Sequence, residues 1–205
     1  MMTAVTTGRL FYFVRHGETD WNAEHRLQGQ LDIPLNALGR RQAAHCAEVL
    51  RRLIARAGKT AEDFAYVASP LSRARETMEI LRGGLGLPAQ DYAVDGRVAE
   101  MSFGRWEGLT YKDVRARDPA ALPARERDKW NFQPPGGESY AQLLERARAW
   151  YAGLAGDTIV TAHGGIARVL MVLFGVRPPA EAPLGSVHQG VVYEFATRVM
   201  HTHRW

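Results

Sequence analysis

The feature that most constrains this chain is the run Leu10-Phe11-Tyr12-Phe13-Val14, which leads without a break into Arg15-His16-Gly17-Glu18-Thr19. Five consecutive bulky apolar residues suit a strand buried on both faces, as in a parallel sheet covered by helices. Such sheets bind ligands beyond the carboxyl ends of their strands. The run therefore delivers a cation and an imidazole to that rim, and Gly17 allows a tight turn and a close approach of backbone to a ligand. An Arg-His pair at a strand end is by itself equally consistent with a solvated edge, so the rest of the chain decides.

The rest repeats the pattern. Asn36 can cap a helix whose apolar positions Ala43, Ala47, Leu50 and Ile54 follow one helical face and which ends near Gly58. Phe64 to Ala68 predicts a second strand, and Ser69-Pro70 opens a helix through Leu81 that Gly83-Gly84 would close. A short strand near Tyr92 to Val94 follows. The stretch 101–135 is irregular, with Trp106, Tyr111, Trp130, Phe132 and four prolines, and suits a helical, lid-like insertion over the sheet rim. Ser139 starts an amphipathic helix to Gly153, Thr158 to Ala162 is a strand ending in His163-Gly164-Gly165, and Ile166 to Phe174 is the next helix. Val191 to Ala196 and Arg198 to His203 read as a hairpin on the sheet edge. The alternation predicts a three-layer α/β/α sandwich with a mostly parallel central sheet, built as one domain over residues 1–205.

Composition narrows the partners. The net charge is +4, yet the 26 basic residues, 23 of them Arg, never form a run, so an anionic small substrate explains them better than nucleic acid. The lone Cys46 offers neither a disulfide nor a thiolate metal site and fits a cytoplasmic protein. Met1 to Gly8 lacks an apolar signal core and no apolar run is long enough for a membrane span, so no membrane partner is expected. Nothing reports the oligomeric state, and a homo-oligomer stays open.

Three predicted strand ends thus bring Arg15-His16, Ser69-Pro70 with Arg73, and His163 to one rim, and Ala99-Glu100-Met101 can add a carboxylate. Two guanidiniums and an imidazolium would repel one another unless an anion sat between them, and guanidinium forks match phosphate oxygens. A neutral second imidazole can attack phosphorus and form a phosphohistidine, with the cations holding the equatorial oxygens, so no metal or other cofactor is required. A carboxyl group of raised pKa would protonate the leaving alkoxide. Glu100 is the candidate for that role and Glu107 its rival; Arg75 is likewise the rival of Arg73. An esterase reading of His163-Gly164-Gly165 needs Gly-x-Ser-x-Gly, which none of the five serines provides. His201 and His203 share a strand face but have no carboxylate or cysteine beside them in sequence, and Glu18 could pair with Arg15. His25, His45 and His188 read as surface or loop residues, His188 with a route toward the site.

Arg15-His16-Gly17-Glu18-Thr19 with Trp21-Asn22, then Leu27-Gln28-Gly29, Ser69-Pro70-Leu71-Ser72-Arg73-Ala74 with Thr77, Glu100 with Phe103-Gly104 and Trp106-Glu107-Gly108, Pro135-Gly136-Gly137-Glu138-Ser139 and His163-Gly164-Gly165 occur in this order. Together they resemble the histidine phosphatase superfamily in its phosphoglycerate mutase-like branch, from residue 10 to beyond residue 170. The resemblance implies that His16 is the phosphorylated nucleophile and that Arg15, Arg73 and His163 bind the phosphoryl group, with Asn22 assisting. Glu100 would be the proton donor, and Gln28, Gly29 and Gly164 substrate-contacting positions. It implies a metal-independent phosphomonoester hydrolase acting on a small phosphorylated metabolite. The mutases of the branch carry a longer insertion with adjacent arginines, and no Arg-Arg pair lies between Trp106 and Pro135. Lys112, Arg115, Arg117, Arg125 or Arg127 could still reach a substrate carboxylate, which keeps the mutase as the alternative. A phospho-ligand binding module and a phosphoprotein phosphatase are the further readings. The complete set of candidate catalytic residues argues for an enzyme.

Overall fold

The structure is a computed structural model that describes residues 8–204, so most of the N-terminal stretch read above, Met1 to Thr7, lies outside it. In chain order it contains β1 (Phe11–Arg15), α1 (Asp20–Ala23), α2 (Ala37–Arg56), β2 (Ala65–Ala68), α3 (Ser72–Gly84), β3 (Ala93–Val94), α4 (Tyr111–Arg117), α5 (Ala121–Arg127), α6 (Tyr140–Ala152), β4 (Thr158–Ala162), α7 (Gly164–Leu173), β5 (Val192–Ala196) and β6 (Val199–His203). The six strands form one sheet of order β3-β2-β4-β1-β5-β6. β1, β2, β3 and β4 run parallel, and the β5–β6 hairpin closes one edge antiparallel, as the sequence predicts.

β1 is buried on both faces because its side chains alternate between two cores. Phe11 and Phe13 pack with Trp150 of α6 and with Ile166 and Leu170 of α7, whereas Tyr12 and Val14 pack with Leu50 and Leu53 of α2 and Met78 of α3. That alternation is the three-layer sandwich expressed at one strand. Phe11 alone meets four aromatic rings, those of Trp150, Tyr151, Phe174 and Phe195.

Local signals explain most boundaries. The Asn36 side chain accepts the Gly39 N–H at 2.9 Å and caps α2, and Ser139 caps α6 with a reciprocal bond from Gln142. One expectation is corrected. The helix after Ser69-Pro70 starts at Ser72, with Leu71 as its cap. α3 ends at Gly84 with Leu85 as its C-cap, so Gly83-Gly84 closes it as the sequence predicts. A Cβ at Gly84 would stand 2.6 Å from the Ala47 Cβ, so this glycine permits close contact between α3 and α2.

The turn after β1 is fixed by a similar approach. A Cβ on Gly17 would lie 2.2 Å from the Gly39 carbonyl oxygen, and one on Gly39 would lie 2.2 Å from the Glu18 carbonyl oxygen. Asn36 adds to this clamp by donating its backbone N–H to the Glu18 carbonyl and its side-chain amide to the Glu18 carboxylate at 3.0 Å. Glu18 therefore serves the α2 junction, which corrects its expected pairing with Arg15. Replacing Gly39 with Ala forces these backbones apart. We expect a loss of about 1–3 kcal/mol in a urea unfolding experiment; a variant as stable as wild type would show that the junction yields freely.

Candidate active site

Register brings the two histidines together. β1 and β4 pair Arg15 with Ala162, and the His16 N–H continues the ladder to the Ala162 carbonyl at 2.9 Å. His16 and His163 then leave adjacent strand ends side by side, with ring centroids 5.1 Å apart. β2 ends one strand further along, where the Ser69 N–H bonds the Thr161 carbonyl, and α3 starts three residues later and carries Arg73.

These ends form the floor of a cavity of about 580 Å³. Arg15, His16, Arg73, Glu100 and Gly164 line the floor, Asn22, Gln28 and Gly29 line a wall, and α4 and α5 lie over the rim. Eight of the nine sequence-predicted positions thus share one cavity. The ninth, His163, lies wholly buried behind His16.

The His16 ring is held at Nδ1, 2.7 Å from the Gly17 carbonyl, which can only accept; Nδ1 therefore carries the proton and Nε2 the lone pair. Burial, reinforced by Arg73 and Arg15, holds the His16 imidazole well below its usual 6.5. The same causes, with His16 itself contributing, hold His163 well below 6.5. The expected imidazolium is therefore corrected: both rings are neutral in the free protein, because two nearby guanidiniums and a dry environment disfavour a further charge. His163 Nε2 lies 2.7 Å from the Ser69 hydroxyl, and its Nδ1 is buried without a hydrogen-bond partner.

The guanidiniums are held by backbone. Arg73, fully buried, donates to the Leu31 and Gly29 carbonyls at 2.8 and 2.7 Å, and burial lowers its pKa to about 10. Arg15 donates to the Val187 carbonyl at 2.8 Å, and burial lowers its pKa too. In both residues Nε is buried without a partner, a donor ready for an anion. The Glu100 carboxylate accepts the Met101 N–H at 2.9 Å and the Gly165 N–H at 3.0 Å, which aims it at the first turn of α7. With Gly164 lining the cavity, the positive end of the α7 dipole faces the same space.

Neither rival lines the cavity, although Glu107 stands directly behind Gly29. Glu107 accepts the Phe103 and Gln30 N–H groups, a structural task, and Arg75 sits on an exposed surface against the Tyr92 hydroxyl. Trp130 stacks on Tyr140 and Phe132 on Trp106, both as packing. The hairpin brings Glu194 to 2.9 Å from His203 Nε2, a carboxylate that the sequence next to His201 and His203 does not supply. No group of three His, Cys, Asp or Glu among the described residues has a metal-binding arrangement.

Several site residues escaped sequence reasoning. His188 is exposed, and it is its neighbours that reach the site: Val187 through its carbonyl, and Gln189 by donating to Asn22 Oδ1 at 2.8 Å. Arg168 also lines the cavity and donates to the Gly185 carbonyl at 3.0 Å. Its position four residues after Gly164, on the same helical face, was a usable signal.

The chain belongs to the histidine phosphatase superfamily: the family model for branch 1 matches residues 11–199. It is 35% identical over 189 residues to the glucosyl-3-phosphoglycerate phosphatase of Mycobacterium tuberculosis, covering 85% of this chain and 79% of that protein. It is 34% identical over 163 residues to a metal-independent phosphoserine phosphatase of Arabidopsis thaliana, covering 77% and 65%. Its fold superposes on the mycobacterial glucosyl-3-phosphoglycerate phosphatase in complex with VO3 with a TM-score of 0.78 at 31% identity, covering 97% and 99% of the two chains. Phosphomonoester hydrolysis on the histidine phosphatase fold is the function these relationships support.

The neutral histidines make stability depend on pH. In the unfolded chain each takes up a proton near 6.5, while in the fold each does so only at lower pH, so below 6.5 the unfolded chain holds more protons. Thermal stability should fall as pH falls from 6.5 to 5.5, and the double variant His16→Gln/His163→Gln should show a flatter dependence. Equal slopes by calorimetry would place ordinary imidazoles at the site.

Proposed function

We propose that the cavity hydrolyses small phosphorylated metabolites through a covalent phosphohistidine on His16, in the manner of a histidine acid-base phosphatase. The observation that carries this reading is the Nδ1 contact to Gly17, which leaves the Nε2 lone pair of a neutral ring in the cavity. That lone pair attacks phosphorus as the bond to the ester oxygen breaks, and the protonated Glu100 carboxyl gives its proton to the departing alkoxide. Water then attacks the phosphohistidine, its proton passes to Glu100, and inorganic phosphate leaves His16 free. Arg15 and Arg73, with His163 behind them, hold the equatorial oxygens throughout.

In this reading the guanidiniums and the α7 terminus supply the charge stabilisation that other phosphoryl-transfer enzymes draw from magnesium, so neither metal nor cofactor enters. Asn22 is oriented for the same group by Thr19 and Gln189, whose N–H groups are taken by its side-chain oxygen. We read residues 101–135 as a lid on a single domain. Hydrolysis is favoured over the mutase because the lid cations facing the cavity, Arg115 and Arg125, stand on separate helices rather than as an adjacent pair. Cys46, buried with its thiol pushed up to about 12, is inert and fits a cytoplasmic setting.

His16→Ala should lower turnover of p-nitrophenyl phosphate by about 10³-fold or more with chelator present throughout, while far-UV circular dichroism stays unchanged; near-normal turnover would rule out the covalent route. Glu100→Gln should slow an alkyl phosphate by about 10²-fold or more but p-nitrophenyl phosphate far less, since a phenolate needs little protonation. Equal losses would move the acid to another residue.

A further inference from the structure

Glu100 stands in a stretch, 100–103, without regular secondary structure, so no strand or helix fixes where its side chain starts. Its carboxylate is held by the Met101 and Gly165 N–H groups, and its backbone is held by a separate device. Arg146, on α6, donates from Nη1 to the Arg97 and Ala99 carbonyls at 2.7 and 2.8 Å and from Nη2 to the Glu100 carbonyl at 3.0 Å. Glu138, just before α6, accepts the Ser102 N–H at 3.1 Å, and its own N–H goes to the Ser102 carbonyl at 2.8 Å. One guanidinium therefore grips the chain up to Glu100, and one carboxylate grips it two residues beyond.

The two grips are parts of one unit. Arg146 Nε and Nη2 meet the two oxygens of Glu138 at 2.8 and 2.9 Å, a bidentate pair whose side chains are only 20% and 23% exposed. With the three carbonyls, this gives each of the five N–H groups of Arg146 an acceptor. Burial opposes ionisation of Glu138, and Arg146 more than offsets it, holding that carboxyl below its usual range. The base of the unit is firm, since α6 packs Leu143, Ala147 and Trp150 into the same core as Ile166 and Leu170 of α7. α6 thus fixes the Glu100 backbone, while α7, through Gly165, fixes its carboxylate. Neither Arg146 nor Glu138 lines the cavity.

We propose that Arg146, with Glu138, is a positioning residue for proton transfer: it holds the Glu100 backbone where the carboxyl reaches the leaving ester oxygen, without touching substrate itself. The inference rests on Glu100 being the acid of the phosphatase reading. A proton donor has to stand within hydrogen-bond reach of its acceptor, and a displacement of about 1 Å can cost 10²-fold. Without the fork of Arg146, the 97–102 segment no longer fixes that distance. The consequence is selective, because only a leaving group that needs a proton registers it. Arg146 also adds, after burial and Arg73, to what keeps His163 neutral, but losing that influence would alter the turnover of all esters alike.

The test compares kcat/KM for p-nitrophenyl phosphate with that for an alkyl ester, whichever of glycerol 3-phosphate and 3-phosphoglycerate the wild type hydrolyses faster. The proteins are wild type, Arg146→Lys, Glu100→Gln and the double variant; lysine keeps the charge but offers three N–H groups and no fork. We expect Arg146→Lys to lose about tenfold or more on the alkyl ester and less than about threefold on p-nitrophenyl phosphate. In the Glu100→Gln background the same substitution should cost the alkyl ester nothing further, because the group it positions is already gone. Glu138→Gln, close in shape, should repeat the selectivity and serves in place of an Arg146→Lys protein that does not fold. Equal losses on both esters, losses that multiply in the double variant, or wild-type values in both single variants of the pair would overturn the positioning role and leave the phosphatase intact. An unselective Glu100→Gln would overturn the acid assignment and this inference with it, as would a wild type inactive on every ester.

Discussion

Two guanidiniums are buried beside each other without carboxylates as their hydrogen-bond partners, and the site is organised around that constraint. Arg73 and Arg15 give their terminal N–H groups to the carbonyls of Gly29, Leu31 and Val187. Carbonyl dipoles offset part of the desolvation of a cation but cancel none of its charge, which a paired aspartate would do. Glu100 opposes part of the charge on both through space without hydrogen-bonding either, and the rest of the positive potential is retained. The same bonds fasten three segments to one another. Arg73 ties the 29–31 loop to α3, Arg15 ties β1 to the loop before β5, and Arg168 adds a second tie to that loop at Gly185. With the loop in place, Gln189 reaches Asn22.

The guanidiniums also decide the state of the imidazoles. A histidine that attacks phosphorus must be unprotonated, and at an exposed strand end it would be partly charged in mildly acid conditions. Burial beside Arg15 and Arg73 removes that population. The cations that suit the cavity to a phosphate dianion thus hold His16 as a base as well. The Gly17 carbonyl sets which nitrogen is free, and Gly17 is set in turn by contact with Gly39 and by its N–H to Thr77, whose hydroxyl donates to the Arg73 carbonyl. His16 and Arg73 are thus linked through one short chain, the Gly17 backbone and the Thr77 hydroxyl.

What was legible in the sequence is what depends on strand ends. Apolar runs located β1, β2 and β4, and parallel topology then required Arg15, His16, Ser69 and His163 to share a rim. Their contact follows from the β1–β4 register without any further signal. Helix caps at Asn36 and Ser139 were equally legible, since the capping bond is made within four residues. Gly83-Gly84 was legible as a helix end, whereas the second role of Gly84, whose missing side chain allows contact between α3 and α2, was not. Contacts made by carbonyls carry no sequence signature, so the roles of Val187, Gly29 and Leu31 were invisible. The Glu194 partner of His203 was hidden for a related reason, as it depends on hairpin register.

The segment 101–135 differs from the rest in how it is held. Leu27, Trp106, Val114, Ala121 and Leu122 form a small apolar cluster of their own, separate from the two cores that sandwich the sheet. The cavity floor is anchored in the sheet and its large cores, while α4 and α5 rest on this minor cluster and carry Arg115 and Arg125 over the cavity. A substitution in this segment therefore alters the remote end of the pocket without disturbing the β1–β4 register that places His16 against His163. Under the proposed phosphatase reading, that separation leaves the phosphoryl-binding floor fixed while the segment over the rim sets which phosphomonoesters fit.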